Sequence, residues 1–235
     1  MVSTFGRKIF PMLIIPIAVA ICLFIWKHIS NIHNPSEPKK KEKKDGNFFQ
    51  KLFYLLPIVG SIMLLASLRD AASQSVKTFL PTLFISRGES IAFGGGLLFV
   101  FSLLSAIAGI IGGKLGDKYG EMKVLLPTVF FGPIFLFAGF NKHGILGIIL
   151  LTVGYVILQT STPLTASIAQ KKHPDMRSMA SSLVQGSSWG LANLLVTPVG
   201  VAADIIGLQN ALNFAIFLPW IMLFYFAAKY LLKRS

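Results

Sequence analysis

The chain has 235 residues, of which 54% are hydrophobic and 13% charged, with a mean hydropathy of +0.69. Soluble domains carry about 25% charged residues, and the apolar residues here come in long uncharged blocks, which excludes a soluble domain and points to an all-α polytopic membrane protein. The formal net charge of +13 does not make a nucleic-acid partner, because the basic residues stand at segment ends and in loops with no groove-reading face.

The first apolar run covers residues 9–26 and follows Arg7 and Lys8. It is longer than a signal-peptide core, and no small-residue cleavage site precedes Trp26 and Lys27, so it reads as a retained membrane helix. Cys22 lies inside it and is the single cysteine, which rules out an internal disulfide. Residues 33–51 contain Pro35, Pro38 and the basic run from Lys39 to Lys44. They read as a disordered linker, of the kind that lies on the cytoplasmic side against anionic lipid.

The second segment, 53–85, exceeds the bilayer span at about 1.5 Å per residue, so its ends project or bend near Pro57 or Pro81. The third to seventh segments cover 93–112, 124–140, 145–169, 179–203 and 211–232. The expected organisation is a first helix within 1–32, a linker over 33–51 and a six-helix bundle over 52–235.

Residues 112–123 form a short, charged, glycine-rich break between two uncharged runs. They read as a hinge at the membrane surface, where glycine accepts positive φ without penalty. The spacing of Gly113, Asp117 and Gly120 recurs 87 residues later in Gly200, Asp204 and Gly207. Segments two to four then match segments five to seven. An odd number of spans per unit puts the two units in opposite orientation, the inverted three-plus-three plan of secondary transporters.

The run from Gly113 through Asp117 and Lys118 to Gly120 resembles the cytoplasmic loop motif of the major facilitator superfamily, glycine-x-leucine-x-aspartate-basic-x-glycine. In that family the motif lies between helices two and three and recurs between eight and nine. Its place here matches the second position, so the resemblance implies the family's helix six, central loop and helices seven to twelve, a carboxy-terminal half. Leu68-Arg69-Asp70, the stretch from Lys77 to Pro81 and that from Met179 to Gly186 are similar to the fosmidomycin-resistance branch. Glu121 and Met122 depart from the motif, standing where basic residues are usual.

The resemblance implies an ion-coupled secondary carrier that moves a small solute by alternating access, as an antiporter, by efflux or uptake. It also implies a gating role for Gly113, Asp117, Lys118 and Gly120, with Asp117 capping or pairing across the inner helix ends. The partners expected are the lipid bilayer, a small-molecule solute and a separately encoded amino-terminal half. The rival reading is a non-transporting remnant or scaffold subunit of a split gene.

In the second segment a rotation of about 100° per residue puts Asp70, Ser73, Gln74 and Lys77 on one stripe, with Arg69 at its edge. Intramembrane charge marks a pathway by default, which makes this stripe a cavity wall where Arg69 and Lys77 attract an anionic group and Asp70 carries a counter-charge or a proton. The alternative is a structural Arg69–Asp70 cluster with Lys77 reaching the surface. Gln159 is the expected pathway residue of the fifth segment, among hydroxyls that also suit interhelical packing. Ser182, Gln185, Trp189 and Asn193 follow helical spacing beside Gly186 and Gly190 and read as packing.

His28, His33, His143 and His173 show no metal-ligand spacing, and no nucleophile elbow or phosphate loop is present. Neither an enzyme nor a cofactor is expected. Sixteen of the 22 basic residues fall on one side of the bundle, which places the linker and the C-terminus in the cytoplasm and the N-terminus outside a plasma membrane.

Overall fold

The structure is a computed structural model that describes residues 48–232. The first expected helix, at 9–26, and most of the basic linker lie outside the described residues. The rest is helical, with no strand among the described residues. The elements are α1 (Phe48–Ser86), α2 (Ile91–Tyr119), α3 (Glu121–Phe140), α4 (Gly144–Thr160), α5 (Thr162–Lys172), a short 3-10 turn (Pro174–Met176), α6 (Arg177–Ile206), α7 (Leu208–Ala215) and α8 (Leu218–Leu232). α1 begins at Phe48, so the last residues expected as linker are already helical.

Among the described residues, five stretches are long and apolar enough to cross a membrane: Ile91–Tyr119, Glu121–Phe140, Gly144–Lys172, Pro174–Ile206 and Leu208–Tyr225. α1, which carries Arg69, Asp70 and Lys77, is a 39-residue helix beside them. Helices are the expected answer because hydrocarbon offers no partner to an unpaired backbone group.

Two of the expected segments tighten locally, with Ser161 and Ile216 still in right-handed helical conformation. The fifth does so at Ser161 between α4 and α5, and the seventh between α7 and α8 at residues 216–217. The physical cause is the same at both. Pro163 and Pro219 have no N–H to return to the carbonyl one turn back, and the chain tightens before each. Ser161 N–H donates to Leu158 O at 3.3 Å, and Phe217 N–H to Phe214 O at 3.2 Å.

The glycine-rich stretch is also not the hinge that its composition suggests. α2 continues through Gly113, Asp117 and Lys118 to Tyr119, and only Gly120 leaves the helix. A helical glycine costs only about 1 kcal/mol, and Gly112 serves a different purpose. A side chain there would collide with the Thr160 carbonyl, so its absence lets α2 close onto the end of α4.

Polar ties show which turns share an end of the bundle. At one end Glu121 pairs with Lys171 and accepts from Ser167 Oγ at 2.8 Å, and Tyr54 meets His173 edge-on. At the other, Arg87 Nη2 donates to Phe140 O at 2.5 Å and to Gln209 Oε1 at 3.0 Å. We call these the linker end and the far end. The turns at Gly120 and Gly207 therefore lie at opposite ends, as an inverted repeat requires.

Buried apolar residues form one cluster toward the linker end, including Leu55, Leu65, Leu125 and Leu164. A second lies toward the far end, including Val76, Leu80, Phe101, Leu136 and Leu158. Between Leu68 of the first cluster and Ala72 of the second, α1 carries Arg69 and Asp70. That polar layer is about 26 Å from the far end of α1 at 1.5 Å per residue.

Candidate functional site

Arg69 is 1% exposed and Asp70 6%. Arg69 Nη2 lies 2.9 Å from Asp70 Oδ1. Its Nη1 reaches the junction of α4 and α5, donating to Ser161 Oγ at 3.5 Å and to Thr162 Oγ1. The guanidinium thus faces Ser161 and Thr162, where α4 passes into α5.

The pair is not fully satisfied. Arg69 Nε and Asp70 Oδ2 are buried with no hydrogen-bond partner. Charge inside a membrane costs roughly 2.5–3.5 kcal/mol per residue on insertion scales, and each buried polar atom left unpaired costs about 1–3 kcal/mol. Ion pairing offsets part of this for Arg69 and Asp70.

One turn along α1, Ser73 Oγ sits 3.1 Å from the Tyr155 hydroxyl and 3.2 Å from Gln159 Oε1. A hydroxyl has one proton, so Ser73 donates to Gln159 and accepts from Tyr155. Tyr155 is fully buried and stacks on Phe101 at 4.7 Å between ring centroids. Lys77 is half-buried with its ammonium 5.7 Å from the Tyr155 ring centroid, a cation–π geometry. Gln74 is half-buried on the same stretch.

The structure therefore gathers Lys77 and Gln159 around Ser73 and Tyr155 on α1 and α4, and sets Arg69 and Asp70 one turn along α1 against Ser161 and Thr162, with Gln74 half-buried on the same stretch. Tyr155 and the tightened turn at Ser161 are the parts that sequence reasoning misses. Pro163 signals that turn, though prolines sit inside α1, α3 and α6 without ending them.

The glycine motif lies at the linker end. Asp117 is exposed and forms no ion pair among the described residues. Lys118 lies 5.1 Å from the Tyr119 ring centroid. Gly113 is helical with open space around it, and Gly120 makes the turn with φ 94°. The tie between helices comes from Glu121, the acidic residue at a usually basic position, which holds the start of α3 to the end of α5 through Lys171 and Ser167. On α6, Trp189 is 60% exposed, and Asn193 bonds back to its carbonyl at 2.9 Å.

The family model described as Major Facilitator Superfamily matches residues 7–197. The uncharacterized MFS-type transporter YfnC of Bacillus subtilis (strain 168) is 28% identical over 133 residues, which cover 52% of this chain and 30% of the relative. The fosmidomycin resistance protein of Escherichia coli (strain K12) is 25% identical over 144 residues, covering 59% of this chain and 34% of the relative. The chain thus spans about a third of the length of these curated relatives.

Proposed function

The chain belongs to the major facilitator superfamily, and we propose that its bundle forms one wall of the solute pathway of a secondary carrier. The observation that carries this reading is the buried Arg69–Asp70 pair facing the hydroxyls of Ser161 and Thr162, with Asp70 Oδ2 and Arg69 Nε unpaired. Charged residues inside a membrane span mark substrate and ion pathways by default.

Arg69 and Lys77 outnumber Asp70 in this layer, so an anionic group on a small solute is favoured. Asp70 is the coupling residue of the proposal: protonation would release Arg69 toward the solute, and deprotonation would restore the ion pair. Gln159 and Gln74 orient the solute through uncharged hydrogen bonds. The basic residues of the linker end, including Lys114, Lys171, Lys172 and Arg177, face the cytoplasm of a plasma membrane under the positive-inside rule. That puts the far end and the N-terminus outside.

One bundle has one wall, and the facing wall in this proposal is a separately encoded amino-terminal half. The experiment is ion-gradient-driven solute movement, by efflux or antiport, in vesicles holding the chain with that half. Asp70→Asn is expected to abolish gradient-driven movement. Unchanged movement removes Asp70 from the mechanism, and no movement by the wild-type pair with any supplied half favours a membrane scaffold that works through its basic linker.

A further inference from the structure

At the far end, between the turn after α1 and the loop joining α3 to α4, lies a pocket of about 200 Å³. Arg87, Lys142 and His143 line it with basic groups, Glu89 is its acidic wall residue, and Phe84 and Ile148 are its apolar floor. It is far along α1 from Arg69 and Asp70 and shares no residue with them.

Arg87 is half-buried there. Its partners are the Phe140 carbonyl, the Gln209 amide oxygen and the Phe84 ring, whose centroid lies 5.7 Å away. All three are neutral. Glu89 forms no ion pair with Arg87, Lys142 or His143 among the described residues, and burial pushes the Arg87 guanidinium below its ordinary value. A desolvated cation beside an acid that does not reach it is a site short of negative charge.

The first turn of α4 faces the same space through Gly144 and Gly147. His143 precedes that helix without a side-chain cap, so the N–H groups of the turn have no side-chain acceptor, at the positive end of the helix dipole. A planar guanidinium fork, a lysine point charge and an uncapped helix start are the donors that suit phosphate oxygens.

We propose that this pocket binds a phosphate group, carried either by an anionic lipid as a phosphodiester headgroup or by a free phosphate from the external solution. Its volume is below the range of drug-sized sites, which fits a headgroup. Exposed Ile85, Ile91, Ile145 and Leu146 stand beside it in the chain, apolar side chains that a bilayer would cover. The pocket thus sits where headgroups and acyl chains meet.

The test uses the purified full chain in two arms. Native mass spectrometry after equal exposure to phosphatidylglycerol and phosphatidylcholine reads the lipid source, and equilibrium binding of radiolabelled inorganic phosphate in lipid-free detergent reads the free anion. Lys142→Gln should lower binding in the responding arm about fivefold, the effect of one cation facing an anionic group, and Arg87→Gln should abolish it. Selective retention of phosphatidylglycerol assigns the lipid, and phosphate binding without lipid preference assigns the free anion. Arg87 also ties α1 to α3 and α7, so Lys142→Gln decides the matter if Arg87→Gln does not fold. Equal retention of both lipids with no phosphate bound overturns the proposal, as does binding that Lys142→Gln leaves unchanged.

Discussion

Gly120 and Gly207, 87 positions apart, turn the chain in nearly the same backbone shape at opposite ends of the bundle. The first has φ 94° and ψ 134°, the second φ 84° and ψ 147°. Each ends a long helix and starts the next without a loop, so one local solution serves both halves of the repeat. Side chains other than hydrogen rarely adopt this conformation, and forcing one there costs on the order of 1–3 kcal/mol.

Gly120→Ala and Gly207→Ala should therefore each lower the stability of the purified protein by about 1–3 kcal/mol, read by denaturant unfolding. Gly113→Ala, in the same motif but helical with nothing within 4 Å, should be neutral or slightly stabilising. A Gly113→Ala variant as damaged as Gly120→Ala would mean that turn geometry is not what these glycines supply.

The spans and their 87-residue repeat are legible in the sequence because hydrocarbon forces the backbone into helices whose apolar blocks stand out. The tightened turns are not, since hydropathy reports composition and Pro81, Pro133 and Pro198 lie within continuous helices. Arg69, Asp70, Gln74 and Lys77 announce themselves as charge and amide within an apolar run. Tyr155 gives no such signal: it becomes part of the site only when α4 packs against α1. Lys171 is equally silent, because its pairing with Glu121 depends on how α3 and α5 meet.

The Glu121–Lys171 tie joins a largely buried carboxylate to a lysine whose side chain is 64% exposed. Such a pair is worth at most about 1 kcal/mol. Glu121→Lys and Lys171→Glu should each destabilise modestly, and the double exchange should recover part of the loss. A double-mutant cycle with no coupling would show that the ion pair does not hold α3 to α5.

Removing one partner of the buried pair leaves the other charge uncompensated, at a cost of about 3–5 kcal/mol. Asp70→Asn should be clearly less stable than wild type. Replacing both residues, Arg69→Met with Asp70→Leu, should recover most of that stability, because an apolar pair needs no desolvation. Gradient-driven solute movement should stay absent in the double variant. Movement restored along with stability would make the pair a structural cluster.

Thr162→Val keeps the shape at the junction of α4 and α5 and removes a hydroxyl acceptor from Arg69. A lost hydrogen bond to a charged group costs about 1.5–3 kcal/mol, and unfolding should show it. Thr152→Val, on α4 with its hydroxyl bonded to the Ile148 carbonyl of its own helix at 2.8 Å, should cost much less.

Water access to the polar layer tests the central claim without knowing the solute. In a Cys22→Ser background, Gln74→Cys and Gln159→Cys in native membrane vesicles should react with a water-soluble maleimide. Val153→Cys, 39% exposed on the same helix as Gln159 and expected on a lipid-covered face, should not. Reaction at Gln74 and Gln159 is the result that a solute pathway along α1 and α4 predicts; inert cysteines at both, from either side of the membrane, would contradict it.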